Sequence, residues 1–87
     1  MTGMLASSKA GHDKNTVYVI IKEETEYVYL ADGRLKTLAK PKRKNKKHIQ
    51  IIKKYPEPEI AERIKAGQTD DLEIRKVLKQ YRMSITT

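Results

Sequence analysis

The chain has 87 residues, of which 38% are hydrophobic, and its formal net charge is +8 at pH 7, which suits one small basic domain with a thin core. Because it contains no cysteine, disulfides and thiolate metal sites are excluded and nothing points to an oxidising compartment. The longest strongly apolar run, residues 17–21, is far too short to span a bilayer, and residues 1–10 lack the pattern of a secretory signal, so we expect a cytoplasmic protein.

The first half of the chain has the composition of short β-strands separated by turns. Residues 24–26 suit a hairpin loop, and Asp32-Gly33 is a strong turn signal that leads into a further strand. Segments rich in valine, isoleucine and tyrosine, or with alternating apolar residues, are typical of half-buried strands. We predict five strands, over residues 3–8, 16–23, 27–31, 34–38 and 48–52. Five short strands joined by tight turns predict a small barrel, with residues 40–47 as a loop between the last two.

The second part of the chain changes to a helical period. Residues 55–58 contain two prolines and form a stiff connector. We predict a first helix from Pro58 to about residue 66, because proline suits the first helical turn and Gly67 can end the helix. Asp70 and Glu73 form a capping-box-like start for a second helix, which reaches about residue 83.

The second predicted helix carries a single apolar stripe, formed by Ile74, Val77, Leu78 and Tyr81. An isolated helix this short is marginal in water, so we expect the stripe to pack on the other helix or on the barrel. The alternative is that the stripe docks a protein partner. We therefore divide the chain into a barrel domain over residues 1–54 and a two-helix extension over residues 55–87 that packs on it.

The positive charge is concentrated in one segment of the chain. Residues 34–54 contain ten of the nineteen lysines and arginines and no acid, and residues 40–47 are the densest part. Repulsion among like charges is relieved by a polyanion, so nucleic acid is the first partner to consider. Lysine outnumbers arginine eight to two in this segment, which favours contacts to phosphates over reading of bases. A passive solvated loop or a nuclear-import signal is the alternative, although a passive surface usually mixes both signs.

A glycine-containing loop joins the first two predicted strands. Gly11 suits a backbone position with positive φ, and Asn15 tolerates the left-handed region. Lys9, His12 and Lys14 place cations in the same loop. This arrangement of strand, glycine loop and strand resembles the KOW motif, which forms part of a small SH3-like barrel. Asn15 departs from the motif, which commonly has a second glycine there.

The resemblance extends over residues 3–52, because Asp32-Gly33 matches a hairpin turn of the family and a lysine-rich stretch follows it. Over this range the chain resembles bacterial KOW-domain proteins related to the fourteen-e type of large-subunit ribosomal protein. The implied fold of this range is a five-stranded SH3-like barrel of the KOW type. Together with the two short helices that the later residues predict, the expected fold class is mostly β with C-terminal α. The resemblance implies that the chain binds RNA, associates with the ribosome and acts in translation. Its partners would be large-subunit ribosomal RNA and ribosomal proteins.

We expect the RNA-binding residues to lie in the KOW-like loop and in the basic segment. Tyrosines on the predicted strands are needed to fill a barrel that has no phenylalanine or tryptophan, so at most one should stack on a base. The expected RNA-binding residues are Lys9, Gly11, His12, Lys14, Asn15, Arg34, Lys36, Lys40, Lys42, Arg43, Lys44, Lys46 and Lys47.

The sequence offers little for catalysis. Its two histidines, His12 and His48, are far apart in the chain, and no metal-binding helix motif or phosphate-binding glycine loop is present. We therefore expect no enzyme activity, no metal, no cofactor and no small-molecule substrate. Attachment to a membrane is disfavoured because no apolar anchor adjoins the lysines. The alternative function is that of an adaptor, which binds a protein through the apolar stripe and attaches only loosely to RNA.

Overall fold

The computed structural model describes residues 1–54 and 56–85, and it contains five β-strands followed by two helices. The strands are β1 Leu5–Ser8, β2 Val17–Glu23, β3 Tyr27–Ala31, β4 Lys42–Asn45 and β5 Ile49–Ile52. A 3-10 turn, Lys46–His48, joins β4 to β5, and the helices are α1 Pro58–Lys65 and α2 Asp71–Ile85. The predictions for β1, β2, β3, β5 and both helices are confirmed to within about two residues at each end. Tyr55 of the predicted connector and residues 86–87 of the predicted extension lie outside the described residues.

The strands form one antiparallel sheet in the order β4-β3-β2-β1-β5. Strand β1 is paired on both sides, since Leu5 lies opposite Val19 of β2 and opposite Ile52 of β5. The register between β2 and β3 shifts between Ile20 and Lys22, and such a bulge bends the strand that carries it. A five-stranded antiparallel sheet followed by two helices is therefore the observed architecture.

The predicted fourth strand over residues 34–38 is wrong. This segment belongs to the connection between β3 and β4, and the Asp32 side chain organises it. Its Oδ1 atom accepts hydrogen bonds from the backbone N–H groups of Arg34 and Lys36, both at 2.9 Å. The backbone N–H groups of Asp32 and Gly33 donate to the carbonyl of Lys36. These local bonds compete with pairing in a sheet, so Asp32-Gly33 opens a longer loop and not a tight hairpin.

The prediction that residues 40–47 form a loop is also wrong. Residues 42–45 are strand β4, which pairs with β3 and places Arg43 opposite Tyr29. The following 3-10 turn is capped by Asn45, whose Oδ1 accepts from the backbone N–H of Lys47 at 3.0 Å. A lysine-rich sequence is acceptable in β4 because the strand is at the edge of the sheet, where lysine also discourages pairing with another chain.

Both faces of the sheet carry buried residues, because alternate residues of a strand point to opposite faces. On one face, three strand residues pack with residues of α1 and α2. This helix-side cluster comprises Leu5, Val19, Ala31, Ile64, Ile74, Val77 and Leu78. The opposite face contributes a strand-side cluster, which consists of Ala6, Tyr18, Ile20, Val28, Leu30 and Ile49. Within the described residues no helix takes part in the strand-side cluster, so the strands themselves bury it. The apolar stripe of α2 is consequently part of the hydrophobic core.

Candidate nucleic-acid interface

The loop over residues 9–16 connects β1 to β2 and has the backbone conformation that its sequence predicts. Gly11 has a φ of +85° and Asn15 a φ of +74°, so both lie in the left-handed region. The loop closes where the backbone N–H of Asn15 donates to the carbonyl of Ser8 at 2.8 Å. Lys9, Gly11, His12, Lys14 and Asn15 are all exposed, so the structure brings these five predicted residues together on one solvent-facing loop.

Asp13 fixes this loop to the edge strand β4. Its Oδ1 atom accepts hydrogen bonds from Ser8 Oγ and Lys44 Nζ, each at 2.8 Å. Its Oδ2 atom accepts from Lys42 Nζ at 2.7 Å and from the hydroxyl of Tyr18 at 3.0 Å. The carboxylate side chain is only 13% exposed, and Lys44 Nζ also donates to the carbonyl of Ala10 at 3.0 Å. One carboxylate therefore joins the loop, the sheet interior and two lysines of the basic segment.

The environment of Asp13 keeps this group charged. Burial raises the pKa of the carboxyl, but its four hydrogen bonds, foremost those from Lys42 and Lys44, bring it well below its ordinary value of 3.8. Burial and the hydrogen bond to Asp13 raise the pKa of Tyr18 far above its usual value, so this tyrosine stays a neutral donor. With only 4% of its surface exposed, Tyr18 belongs to the core and is not available to stack on a base.

A second carboxylate holds the end of the basic segment. Lys46 Nζ lies 2.6 Å from Glu23 Oε2, and the amino group of Met1 lies 2.8 Å from Glu23 Oε1. The hydrogen bond from Lys46 is the main cause that lowers the pKa of Glu23 to about 2. Lys42, Lys44 and Lys46 thus all have carboxylate partners elsewhere in the chain, which the sequence did not predict.

On strands β2, β3 and β4, cationic side chains lie over aromatic rings. The guanidinium carbon of Arg43 lies 4.2 Å from the ring centroid of Tyr27, and Lys22 Nζ lies 5.3 Å from the ring centroid of Tyr29. The hydroxyl of Tyr29 donates to Glu24 Oε1 at 3.0 Å. Both tyrosines are half-buried, so their rings are partly covered by these cations. Lys22 was missed by the sequence reasoning, because only the strand register places it beside Tyr29.

The remaining lysines and arginines of the predicted interface form no salt bridge with a carboxylate among the described residues. Lys9 lies next to the 3-10 turn, because its backbone N–H donates to the carbonyl of His48 at 2.7 Å. Lys47 is on that turn, so two exposed lysines from distant parts of the sequence become neighbours. Lys36 and Lys40 lie in the connection between β3 and β4, and Arg34 of the same connection faces α2 instead.

Helix α2 contributes arginines that the sequence reasoning left without a role. Arg75 and Arg82 line a cleft of about 400 Å³ together with Arg34. The spacing of the cations on α2 could have revealed them, because residues 75, 79 and 82 recur every three to four positions and share one side of a helix. That Arg34 lies beside them is decided only by the fold.

Comparison with protein-family models finds no match, and comparison with curated proteins finds no significant relative. In residues 1–54 and 56–85, no group of three or more histidine, aspartate or glutamate side chains is placed to hold a metal ion. None of the helices in the described part of the chain is long and apolar enough to cross a membrane.

Proposed function

We propose that this protein is a non-catalytic, cytoplasmic RNA-binding protein of the KOW type that associates with the large ribosomal subunit. The observation that carries the proposal is the arrangement of exposed lysines around a loop of fixed shape. Three lysines are exposed and have no carboxylate partner among the described residues: Lys9, Lys14 and Lys47. Asp13 holds the loop over residues 9–16 against β4 through its contacts with Lys42 and Lys44. Of the ten basic residues in residues 34–54, seven have no carboxylate partner among the described residues, and they add a field that attracts a polyanion.

An SH3-like barrel is the finer fold assignment that belongs to this proposal. It is supported by the strand order, which places β4 and β5 at the two edges with only a 3-10 turn between them. It is further supported by the strand-side cluster, which the strands bury without help from a helix among the described residues. The bulge between Ile20 and Lys22 supplies the bend that such a curved sheet requires.

The proposed mechanism is electrostatic contact with the RNA backbone on a preorganised surface. The hydrogen bonds of Asp13 hold the loop in one conformation, which reduces the entropy lost when RNA binds. Gly11 has no side chain, so a phosphate can approach the loop backbone closely. Lysine contacts phosphate as a point charge, which favours recognition of shape and backbone over sequence. Structured ribosomal RNA is a target that offers such a shape.

Salt dependence tests this mechanism. If about five phosphates are neutralised, the logarithm of the affinity should fall with the logarithm of salt concentration with a slope of roughly −3.5 to −4.5, depending on strandedness. The measurement is fluorescence anisotropy of a labelled RNA fragment over a salt series. A nearly flat response would contradict the mechanism.

Two matched double variants locate the interface. Replacing Lys9 and Lys47 with glutamine should weaken binding to different RNAs by a similar factor and leave the fold intact, because both side chains are exposed and neither has a carboxylate partner among the described residues. Replacing Lys53 and Lys54 with glutamine removes the same charge from exposed positions after β5 and should have a smaller effect. Equal loss in both variants would mean that binding follows net charge and not this surface.

Sedimentation of a cell extract tests the ribosomal part of the proposal. At moderate salt the protein should migrate with the large subunit, and it should leave that fraction as salt increases, because the contacts are electrostatic. A position at the top of the gradient under both conditions would refute association with the ribosome. Binding to RNA measured with the purified protein would then point to another RNA.

A further inference from the structure

A cleft between the KOW-like loop and helix α2 is lined by three arginines. Arg34 comes from the connection after β3, whereas Arg75 and Arg82 are two turns apart on α2. The cleft has a volume of about 400 Å³, within the usual range of pockets for small ligands. Its lining continues to Asn15 and Thr16, which are the last residues of the KOW-like loop before β2. The cleft is therefore a direct continuation of the surface proposed to contact RNA.

Among the described residues, the positive charge around this cleft is only partly compensated. Within the described residues, none of the three arginines has a carboxylate within salt-bridge distance. Asp32 also lines the cleft, where its carboxylate offsets one of the three positive charges, so the charged lining keeps an excess of positive charge. A neighbouring cleft shares the three arginines and adds Lys76 and Lys79, and no acid lines it. The local field therefore favours an anion.

One of these arginines has a buried donor without an acceptor. The Nε atom of Arg75 is buried and has no hydrogen-bond partner in the described part of the chain. A buried unsatisfied donor costs free energy, and in native proteins an ordered water or an ion is one explanation for such a group. A guanidinium group donates in a planar fork that matches two oxygens of a phosphate. Arg75 therefore brings a guanidinium group with an unsatisfied donor to the lining of the cleft.

The remaining lining of the cleft is apolar. Val17 and Leu78 belong to or pack on the helix-side cluster, and Tyr81 adds an aromatic ring. Arginines above an apolar and aromatic surface suit a nucleotide, whose phosphate is anionic and whose base is flat and weakly polar. A protein side chain that carries only a carboxylate would leave the apolar surface uncovered.

We infer that this cleft binds the phosphate and base of one unpaired nucleotide of the RNA. The inference rests on the proposed RNA-binding function and extends it, because α2 becomes part of the interface. Arg34, Arg75 and Arg82 contact the phosphate, and the apolar surface accepts the base. Because the KOW-like loop ends in this cleft, the RNA strand passes from the exposed lysines of that loop to the arginines of α2.

The test compares three double variants of the full chain by anisotropy with single-stranded RNA. Arg34 and Arg82 are exposed, so replacing both with glutamine should leave the fold intact, which circular dichroism checks. We expect an affinity loss of about tenfold or more and a salt slope that is smaller by up to about 0.7, from the one phosphate that the cleft neutralises. Replacing both with lysine keeps the charge and loses the planar fork, so affinity should still fall, by roughly threefold. The charge-matched control is Lys53→Gln with Lys54→Gln.

A second measurement separates this inference from the proposed function. The Arg Nε–H signals in ¹⁵N NMR spectra are followed during titration with adenosine 5′-monophosphate. Arg34→Gln/Arg82→Gln behaving like the control in RNA binding would overturn the inference and leave the proposed function standing. If the full chain bound no RNA but the Nε signals shifted, the cleft would be a phosphate site whose source is a free nucleotide. If the full chain bound no RNA and the Nε signals did not shift, both the proposed nucleotide site and the proposed RNA-binding function would be refuted.

Discussion

Replacing Asp13 with asparagine removes one negative charge with almost no change in side-chain size, so it isolates the electrostatic role of this carboxylate. The Asp13 side chain is 13% exposed, and it pairs with Lys44, which is 11% exposed, and with Lys42, which is 30% exposed. Removing one partner of a buried pair costs about 3–5 kcal/mol, whereas an exposed pair contributes about 0–1 kcal/mol. Because these pairs lie between the two limits, we expect the free energy of unfolding to fall by about 2–4 kcal/mol.

Thermal unfolding followed by circular dichroism at pH 7 measures this loss. For a domain of this size each kcal/mol corresponds to about 4–8 °C, so Tm should fall by at least about 8 °C. Glu23→Gln is the matched control, because it makes the same chemical change at an exposed carboxylate that also pairs with a lysine. Its Tm should change much less, since water screens an exposed pair.

The pH dependence gives an independent check on the same carboxylate. The pKa of Asp13 in the folded chain is below its ordinary value of 3.8, so the unfolded chain takes up the proton first as pH falls. The stabilisation by Asp13 is therefore fully present well above pH 3.8 and is lost as pH falls through and below that value. Stability of the wild-type chain should decrease more steeply in this range than that of Asp13→Asn.

A further variant distinguishes two causes of the lost stability: the loss of the ion pair between Asp13 and Lys44, and the buried charge of Lys44 that then has no counter-charge. In the Asp13→Asn background, Lys44→Met removes the buried cation that has lost its partner and should recover part of the stability. An Asp13→Asn protein that unfolds at the same temperature as Glu23→Gln would refute the reasoning, because the loop would then be held by its backbone alone. Asp13→Asn should also bind RNA more weakly, because the loop over residues 9–16 is then no longer held in one conformation.

Three other predictions concern the fold. Gly33→Ala should destabilise the protein strongly in urea unfolding, because the φ of Gly33 is +78° and a Cβ there would lie 2.7 Å from Arg75 Cγ. Gly67→Ala is the comparison, since Gly67 has a φ of +71° and a Cβ there would meet no atom within 4 Å. It should lower the free energy of unfolding only by the backbone strain of about 1–2 kcal/mol. Similar losses at both glycines would contradict this. Leu78→Ala should lower the free energy of unfolding by about 2–5 kcal/mol, since Leu78 is 2% exposed in the helix-side cluster. Truncation after residue 54 should abolish cooperative unfolding; a truncated chain that stays folded and binds RNA fully would favour the adaptor alternative.

The elements that could be predicted from the sequence are those specified by neighbouring residues. Alternating apolar residues predict β1, β2, β3 and β5, because each strand buries its apolar side chains on the pleated faces of the sheet. The side chains of Gly11 and Asn15 alone favour the left-handed region, and both residues occupy it. At the start of α2, Asp70 Oδ1 accepts from the backbone N–H of Glu73 at 2.8 Å, as the capping pattern predicts.

The errors concern residues whose conformation depends on distant partners. Strand β4 has no apolar alternation, and it forms because β3 supplies its hydrogen bonds and Asp13 supplies its counter-charge. Asp13 is separated from Lys42 and Lys44 by 29 and 31 positions in the chain, so no local pattern links them. The segment over residues 34–38 was predicted as a strand because the side-chain bonds of Asp32 to that backbone have no signature in hydropathy.

The sequence alone determined that the chain is small and basic, where most strands and helices lie, and that its cations are concentrated in one segment, because composition, periodicity and capping are local properties. Only the tertiary structure decided which cations are paired. It places Lys42, Lys44 and Lys46 against carboxylates, leaves Lys9 and Lys47 exposed, and brings Arg34 to the arginines of α2. The physical reason is that electrostatic interaction depends on distance in space, which chain folding sets and sequence separation does not.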